Sequence, residues 1–92
     1  MLRPLDPRLR LRHLQCLVAL ASHRSVLKAA DALAQTPSAV SKSLAELEAI
    51  AGETLALRHR KGLELTPAGH TLLRHAAQAI GALRDGFELL GA

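Results

Sequence analysis

Residues 25–52 read Ser25-Val26-Leu27-Lys28-Ala29-Ala30-Asp31-Ala32-Leu33-Ala34-Gln35-Thr36-Pro37-Ser38-Ala39-Val40-Ser41-Lys42-Ser43-Leu44-Ala45-Glu46-Leu47-Glu48-Ala49-Ile50-Ala51-Gly52. Ser25 suits an N-cap, and Val26, Ala29, Ala30 and Leu33 form the apolar face of a short helix that ends near Ala34. Thr36-Pro37 restarts helical structure at once. The threonine hydroxyl can accept from the free amides, and proline at N1 loses no hydrogen bond. Val40, Leu44, Leu47 and Ala51 then repeat at helical spacing, and Gly52 stands where a left-handed C′ residue ends the helix. Two helices separated by three or four residues predict a helix-turn-helix over about residues 26–45.

The outer face of the longer helix, residues 37–51, is unusual. At about 100° per residue, Ser38, Lys42, Ala45 and Ala49 fall opposite Val40, with Ser41 to one side. A solvated helix face would carry long charged side chains paired i to i+4. This face carries small residues, hydroxyls and one cation, and its acids, Glu46 and Glu48, lie in the C-terminal half. It suits close approach of the N-terminal end to an anionic surface, as when a recognition helix enters a major groove.

Working outward, Leu11 to about Ser22 reads as a preceding helix with Leu14, Leu17, Val18 and Ala21 on one face and Cys16 and Leu20 off it, so two apolar sides are expected. Beyond Gly52 the period changes. Leu57 and His59 lead into Arg60-Lys61-Gly62 and Leu63-Glu64-Leu65, a two-stranded hairpin spanning about residues 55–66. Its tip, Arg58 to Lys61, makes a cationic wing. Thr66-Pro67 repeats the earlier helix start and opens a helix to about Leu90, roughly 36 Å long. That helix carries two apolar stripes: Leu73, Ile80 and Phe87, and alongside them Leu72, Ala76, Ala79, Leu83 and Leu90. One stripe would cover the domain's own core and the other a partner, so a dimerisation helix is expected; a core helix satisfied within one chain is the alternative.

Composition narrows the function. Ninety-two residues make one small domain, too small for a catalytic cleft between domains. Twenty Leu and seventeen Ala with a single Phe, no Trp and no Tyr favour a mainly α fold, and exclude aromatic stacking platforms for single-stranded nucleic acid. Cys16 is unpaired, which suits a reducing cytoplasm. No signal peptide or membrane span is evident, since the longest apolar run is six residues. Net charge is +4, and all of it falls in residues 1–65, which hold ten Lys and Arg against six acids. Residues 66–92 balance at zero. A basic reading head joined to a neutral pairing helix names nucleic acid as the first partner, ahead of an anionic membrane surface. His70 and His75 lie on different helix faces, and no nucleophile pairs with a base, so neither metal, cofactor nor catalysis is expected.

Five ordered blocks carry a resemblance. Leu11-Arg12-His13-Leu14; Ser25-Val26-x-x-Ala29-Ala30-x-x-Leu33; Thr36-Pro37-Ser38-Ala39-Val40-Ser41-Lys42-x-Leu44-x-x-Leu47-Glu48; Gly52-x-x-Leu55-x-x-Arg58; and Leu65-Thr66-Pro67-Ala68-Gly69 together resemble the amino-terminal DNA-binding domain of LysR-type transcriptional regulators. The resemblance implies a winged helix-turn-helix over residues 11–65 after a ten-residue extension. It also implies a linker helix over residues 66–92 that pairs antiparallel with a second subunit. It further implies an effector-binding domain, which would bind a small-molecule inducer and is expected to lie outside residues 1–92. The partners implied are double-stranded DNA with an interrupted dyad and a second copy of the chain, with a higher oligomer in a full-length protein. Carried over by position, Ser38, Ser41 and Lys42 would occupy the groove-facing helix end, with Thr36 and Pro37 close to base or phosphate. Ser25 and Lys28 would meet backbone phosphate, and Arg58, Arg60 and Lys61 would reach phosphate or the minor groove from the wing. Leu72, Ala76, Ala79, Leu83, Phe87 and Leu90 would form the dimer face. Ser25 and Thr36 have a second reading as helix caps only, and Arg58 as a bridge from wing to helix. The chain departs from the family pattern at Val26 and Ala56, where Phe is usual, and at Pro37-Ser38, where Gln-Pro is common. A MarR-like winged helix and a small helical adaptor are the competing readings.

Overall fold

In the computed structural model, which describes residues 3–91, the elements are α1 (Leu11–His23), α2 (Val26–Ala32), α3 (Pro37–Ala51), β1 (Ala56–His59), β2 (Gly62–Leu65) and α4 (Pro67–Gly91). β1 and β2 pair antiparallel, Ala56 opposite Leu65 and His59 opposite Gly62, so Arg60-Lys61 form a two-residue turn. This is the expected winged helix-turn-helix followed by a long helix.

Each junction has a local chemical cause. Ser25 Oγ accepts from the Lys28 amide at 3.2 Å to start α2, and Thr36 Oγ1 accepts from the Ala39 amide at 3.1 Å to start α3. α2 ends in paired reversals, Gln35 N–H to Ala30 O at 2.9 Å and Ala34 N–H to Asp31 O at 3.1 Å. This Schellman closure puts Ala34 in the left-handed region at φ 54, a conformation that favours glycine. Gly52, at φ 72, ends α3 as expected.

The hairpin is docked rather than free. Leu63 N–H donates to Arg24 O at 3.0 Å, and a Cβ on Gly62 would stand 2.6 Å from that same oxygen. Glu48 Oε2 on α3 accepts from the Leu55 amide at 2.8 Å, fixing the chain where it enters β1. At the start of α4, Thr66 Oγ1 accepts from the Gly69 amide and donates to Thr54 O at 2.7 Å. A Cβ on Gly69 would overlap the Leu55 carbonyl oxygen, so α4 can cross this close only at a glycine.

The core joins α1, α2, α3 and the hairpin through Cys16, Leu17, Leu20, Ala29, Ala30, Val40, Leu44, Leu47, Leu55 and Leu63. It is an aliphatic core without Phe, Tyr or Trp; the one Phe of the chain, Phe87, is 72% exposed. α1 has two apolar sides, as Cys16 and Leu20 off the first stripe predict, and the side they mark is the more deeply buried. Leu14, Val18 and Ala21 are half-buried, whereas His13, Cys16, Leu17 and Leu20 are buried. α1 is contacted by α2, α3 and α4 together, so two of its sides are apolar.

α4 does correct an expectation. Its two stripes do not divide between core and partner, because at about 100° per residue they merge into one face roughly 120° wide. The division runs along the helix. In the first half Leu72 and Leu73 pack on the core and Ala76 is buried at 2% exposure. Ala76 therefore belongs to the chain's own interior and is not a dimer-face residue, whereas Leu72 is only half-buried. The same face continues past the end of the three-helix core, where Ala79, Leu83, Phe87 and Leu90 are exposed. A helix of 25 residues, about 37 Å, outruns the core beneath it.

Candidate nucleic-acid interface

The outer surface of α3 is built as the sequence predicts. Thr36, Pro37, Ser38, Lys42, Ala45 and Ala49 are exposed, Ser41 is half-buried, and no acid lies in the first turn. Capped by Thr36, the helix presents its positive end together with Ser38 and Lys42. Among the described residues, Lys28, Lys42, Arg60 and Lys61 form no ion pair within 4.0 Å. Lys28 lies in the first turn of α2, while Arg60 and Lys61 form the hairpin turn.

Both flanks of α3 are pinned. On the wing side Arg58 Nη2 donates to Ser41 Oγ at 2.7 Å, so the bridging reading of Arg58 holds geometrically. Guanidinium carries five N–H donors, and one bond to a hydroxyl leaves others for a phosphate. On the α1 side Glu46 Oε1 lies 3.0 Å from His13 Nε2 and 3.6 Å from Arg12 Nη2. Hydrogen bonding from His13, aided by the charges of Arg12 and Lys42, holds the Glu46 carboxyl below its usual range. The caps at Ser25 and Thr36 use the hydroxyl oxygens as acceptors and leave each O–H able to donate.

Sequence reasoning missed His13, Glu46 and Glu48 as organisers of this surface. A histidine at the N3 position of α1, whose Nδ1 accepts from the Arg10 amide at 2.9 Å, was the available signal. Glu48 would have been visible as an acid one turn before the chain leaves α3. The N-terminal cations are engaged locally: Arg8 pairs with Asp6 at 2.8 Å, and Arg10 Nη1 donates to Pro7 O at 2.7 Å. Cys16 is a packing residue, with its thiol pointing at Val40 O and pushed up to about 11 by burial.

Residues 11–70 match the family model described as bacterial regulatory helix-turn-helix protein, lysR family. This chain belongs to the LysR family. Among relatives of the LysR-family chain, it is 42% identical over 86 residues to the HTH-type transcriptional regulator GbpR of Azospirillum brasilense, covering 94% of this chain and 25% of that protein. It is 37% identical over 83 residues to the regulator PcaQ of Agrobacterium fabrum, covering 90% of this chain and 27% of the relative. The LysR-family chain thus spans about a quarter of the length of these relatives. Among solved structures, the BenM DNA-binding domain bound to catB site 1 DNA superposes with a TM-score of 0.86 at 28% identity, over 90% of this chain and 93% of that one. The CbnR DNA-binding domain bound to DNA gives 0.82 at 30% identity, over 90% and 97%. Both cover α4 as well as the winged head, so the long helix belongs to the shared fold.

Proposed function

We propose that this LysR-family domain reads double-stranded DNA in the cytoplasm as the operator-binding module of a dimeric transcriptional regulator. The observation that carries the reading is the outer face of α3: small, hydroxyl-bearing, free of acids in its first turn, and centred on an unpaired Lys42. α3 lies in the major groove with Ser38, Ser41 and Lys42 at base edges, and Thr36 and Pro37 close behind. Ser25 and Lys28 meet phosphate, and the wing lays Arg58, Arg60 and Lys61 along the backbone or into the adjacent minor groove. Similarity to two domains solved as DNA complexes supports this reading.

Two copies pair through the protruding half of α4, burying Ala79, Leu83, Phe87 and Leu90, and present two reading heads to an interrupted dyad. In a longer regulator an effector-binding domain would answer to a small molecule and build higher oligomers. An adaptor module would need none of the charge asymmetry between residues 1–65 and 66–92. Selection of bound sites from random duplex DNA tests the proposal, and recovers two half-sites with a fixed spacing if it holds. Titrating the selected duplex against salt gives a log-log slope of about −5 to −9, because five cations per subunit neutralise on the order of five to ten phosphates. A slope shallower than about −2, or no enriched site, overturns the reading.

A further inference from the structure

Glu46 occupies a position with two possible partners. It follows Lys42 by four residues, the spacing at which acid and base side chains meet on a helix surface. On the helix circumference it lies on the flank between the groove face and the side turned to α1. Directed outward, its carboxylate would neutralise Lys42 and bring a negative charge to the edge of the face that meets phosphate. Directed inward, it leaves Lys42 uncommitted. The structure has the inward arrangement, and a buried histidine holds it there.

His13 is 2% exposed, and both of its ring nitrogens are used. Nδ1 accepts from the Arg10 amide at 2.9 Å, which places the proton on Nε2 and makes Nε2 the donor to Glu46 Oε1 at 3.0 Å. The neutral ring satisfies both bonds. Arg12 Nη2, at 3.6 Å, draws the same oxygen in the same direction.

We propose that His13 is a positioning residue for DNA reading: it holds the Glu46 carboxylate against α1, so that Lys42 keeps its charge for the nucleic acid. The inference rests on the DNA-reading role proposed above. It predicts that freeing the carboxylate harms binding, whereas removing its charge does not.

The test measures the affinity of the 92-residue chain and its variants for the selected duplex at low salt. Glu46→Gln keeps an acceptor for His13 without the charge, and is expected to bind within twofold of wild type. Glu46→Asp keeps the charge on a stem too short to reach Nε2, and is expected to bind about three- to tenfold more weakly, as one unneutralised charge near phosphate would produce. His13→Asn, whose amide can replace Nδ1 but not Nε2, is expected to weaken binding to the same extent. His13→Asn with Glu46→Gln restores it, which a purely structural defect would not permit. His13→Gln, which keeps a donor near Nε2, stays close to wild type. If His13→Asn proves too unstable to assay, the contrast between Glu46→Asp and Glu46→Gln decides alone, because both change only a half-exposed side chain. Equal affinities for Glu46→Asp, Glu46→Gln and wild type overturn the proposal and leave DNA reading intact. Absence of binding by every protein, wild type included, overturns both.

Discussion

Arg58 Nη2 and Ser41 Oγ lie 2.7 Å apart, joining the first strand of the wing to the second turn of α3. Arg58 shares a strand face with Ala56, and both turn toward the body of the domain, Ala56 buried and Arg58 reaching α3. Wing and helix therefore approach a ligand as one surface.

Breaking that bond loosens the surface without emptying the core. Arg58→Ala and Ser41→Ala, measured singly and together by denaturant unfolding, should give a coupling of about 0.5–1 kcal/mol, the size of one partly exposed hydrogen bond. Additive effects would show that the contact contributes nothing in solution. Arg58→Ala should also reduce the salt slope of DNA binding by about one unit, since its remaining donors reach phosphate.

Backbone conformation predicts two opposite substitutions. Ala34 at φ 54 is strained, so Ala34→Gly should raise stability by about 0.5–1 kcal/mol and the melting temperature by a few degrees. Gly69→Ala should do the reverse and cost more than about 2 kcal/mol, because the new methyl meets the Leu55 carbonyl. Thermal melts of the two variants check both, and a neutral Gly69→Ala would contradict the close crossing of α4.

The division of α4 along its length predicts different failures at its two ends. Leu83→Glu and Phe87→Glu alter residues 50% and 72% exposed, and should halve the mass seen by sedimentation while leaving the helical spectrum and the melt of the head unchanged. Ala76→Glu buries a charge inside the chain and should cost about 3 kcal/mol or more, unfolding the domain before it changes assembly.

Acid should act through Glu46. Its folded carboxyl titrates below the ordinary range, chiefly because His13 hydrogen-bonds the ionised form. The contribution is therefore fully present above the unfolded value of about 4.3 and is lost as pH falls through that range. Wild type should melt above Glu46→Gln at pH 7, and the gap should shrink as pH falls below the ordinary glutamate range. A gap that persists in acid would mean that the two side chains differ for some reason other than charge.

Much of this protein follows from local chemistry and was legible in the chain alone. Ser25, Thr36-Pro37, Gly52 and Thr66-Pro67 punctuate the helices through hydrogen bonds made within a turn, so α3 begins and ends where the capping residues place it. The unusual face of α3 was also readable, because helical periodicity alone sets Ser38, Lys42, Ala45 and Ala49 opposite Val40.

Contacts between distant segments were not readable. His13 meets Glu46 across 33 residues, and Arg58 meets Ser41 across 17; nothing in either local pattern specifies those partners. The buried side of α1 depends on three other helices converging on it, and periodicity cannot weigh them. α4 shows the difference most plainly. Its sequence determined that one long face is apolar. Only the size and placement of the three-helix core decided that Ala76 is covered by the chain itself, while Leu83, Phe87 and Leu90 run on past it, because burial is a property of what lies opposite and not of the helix.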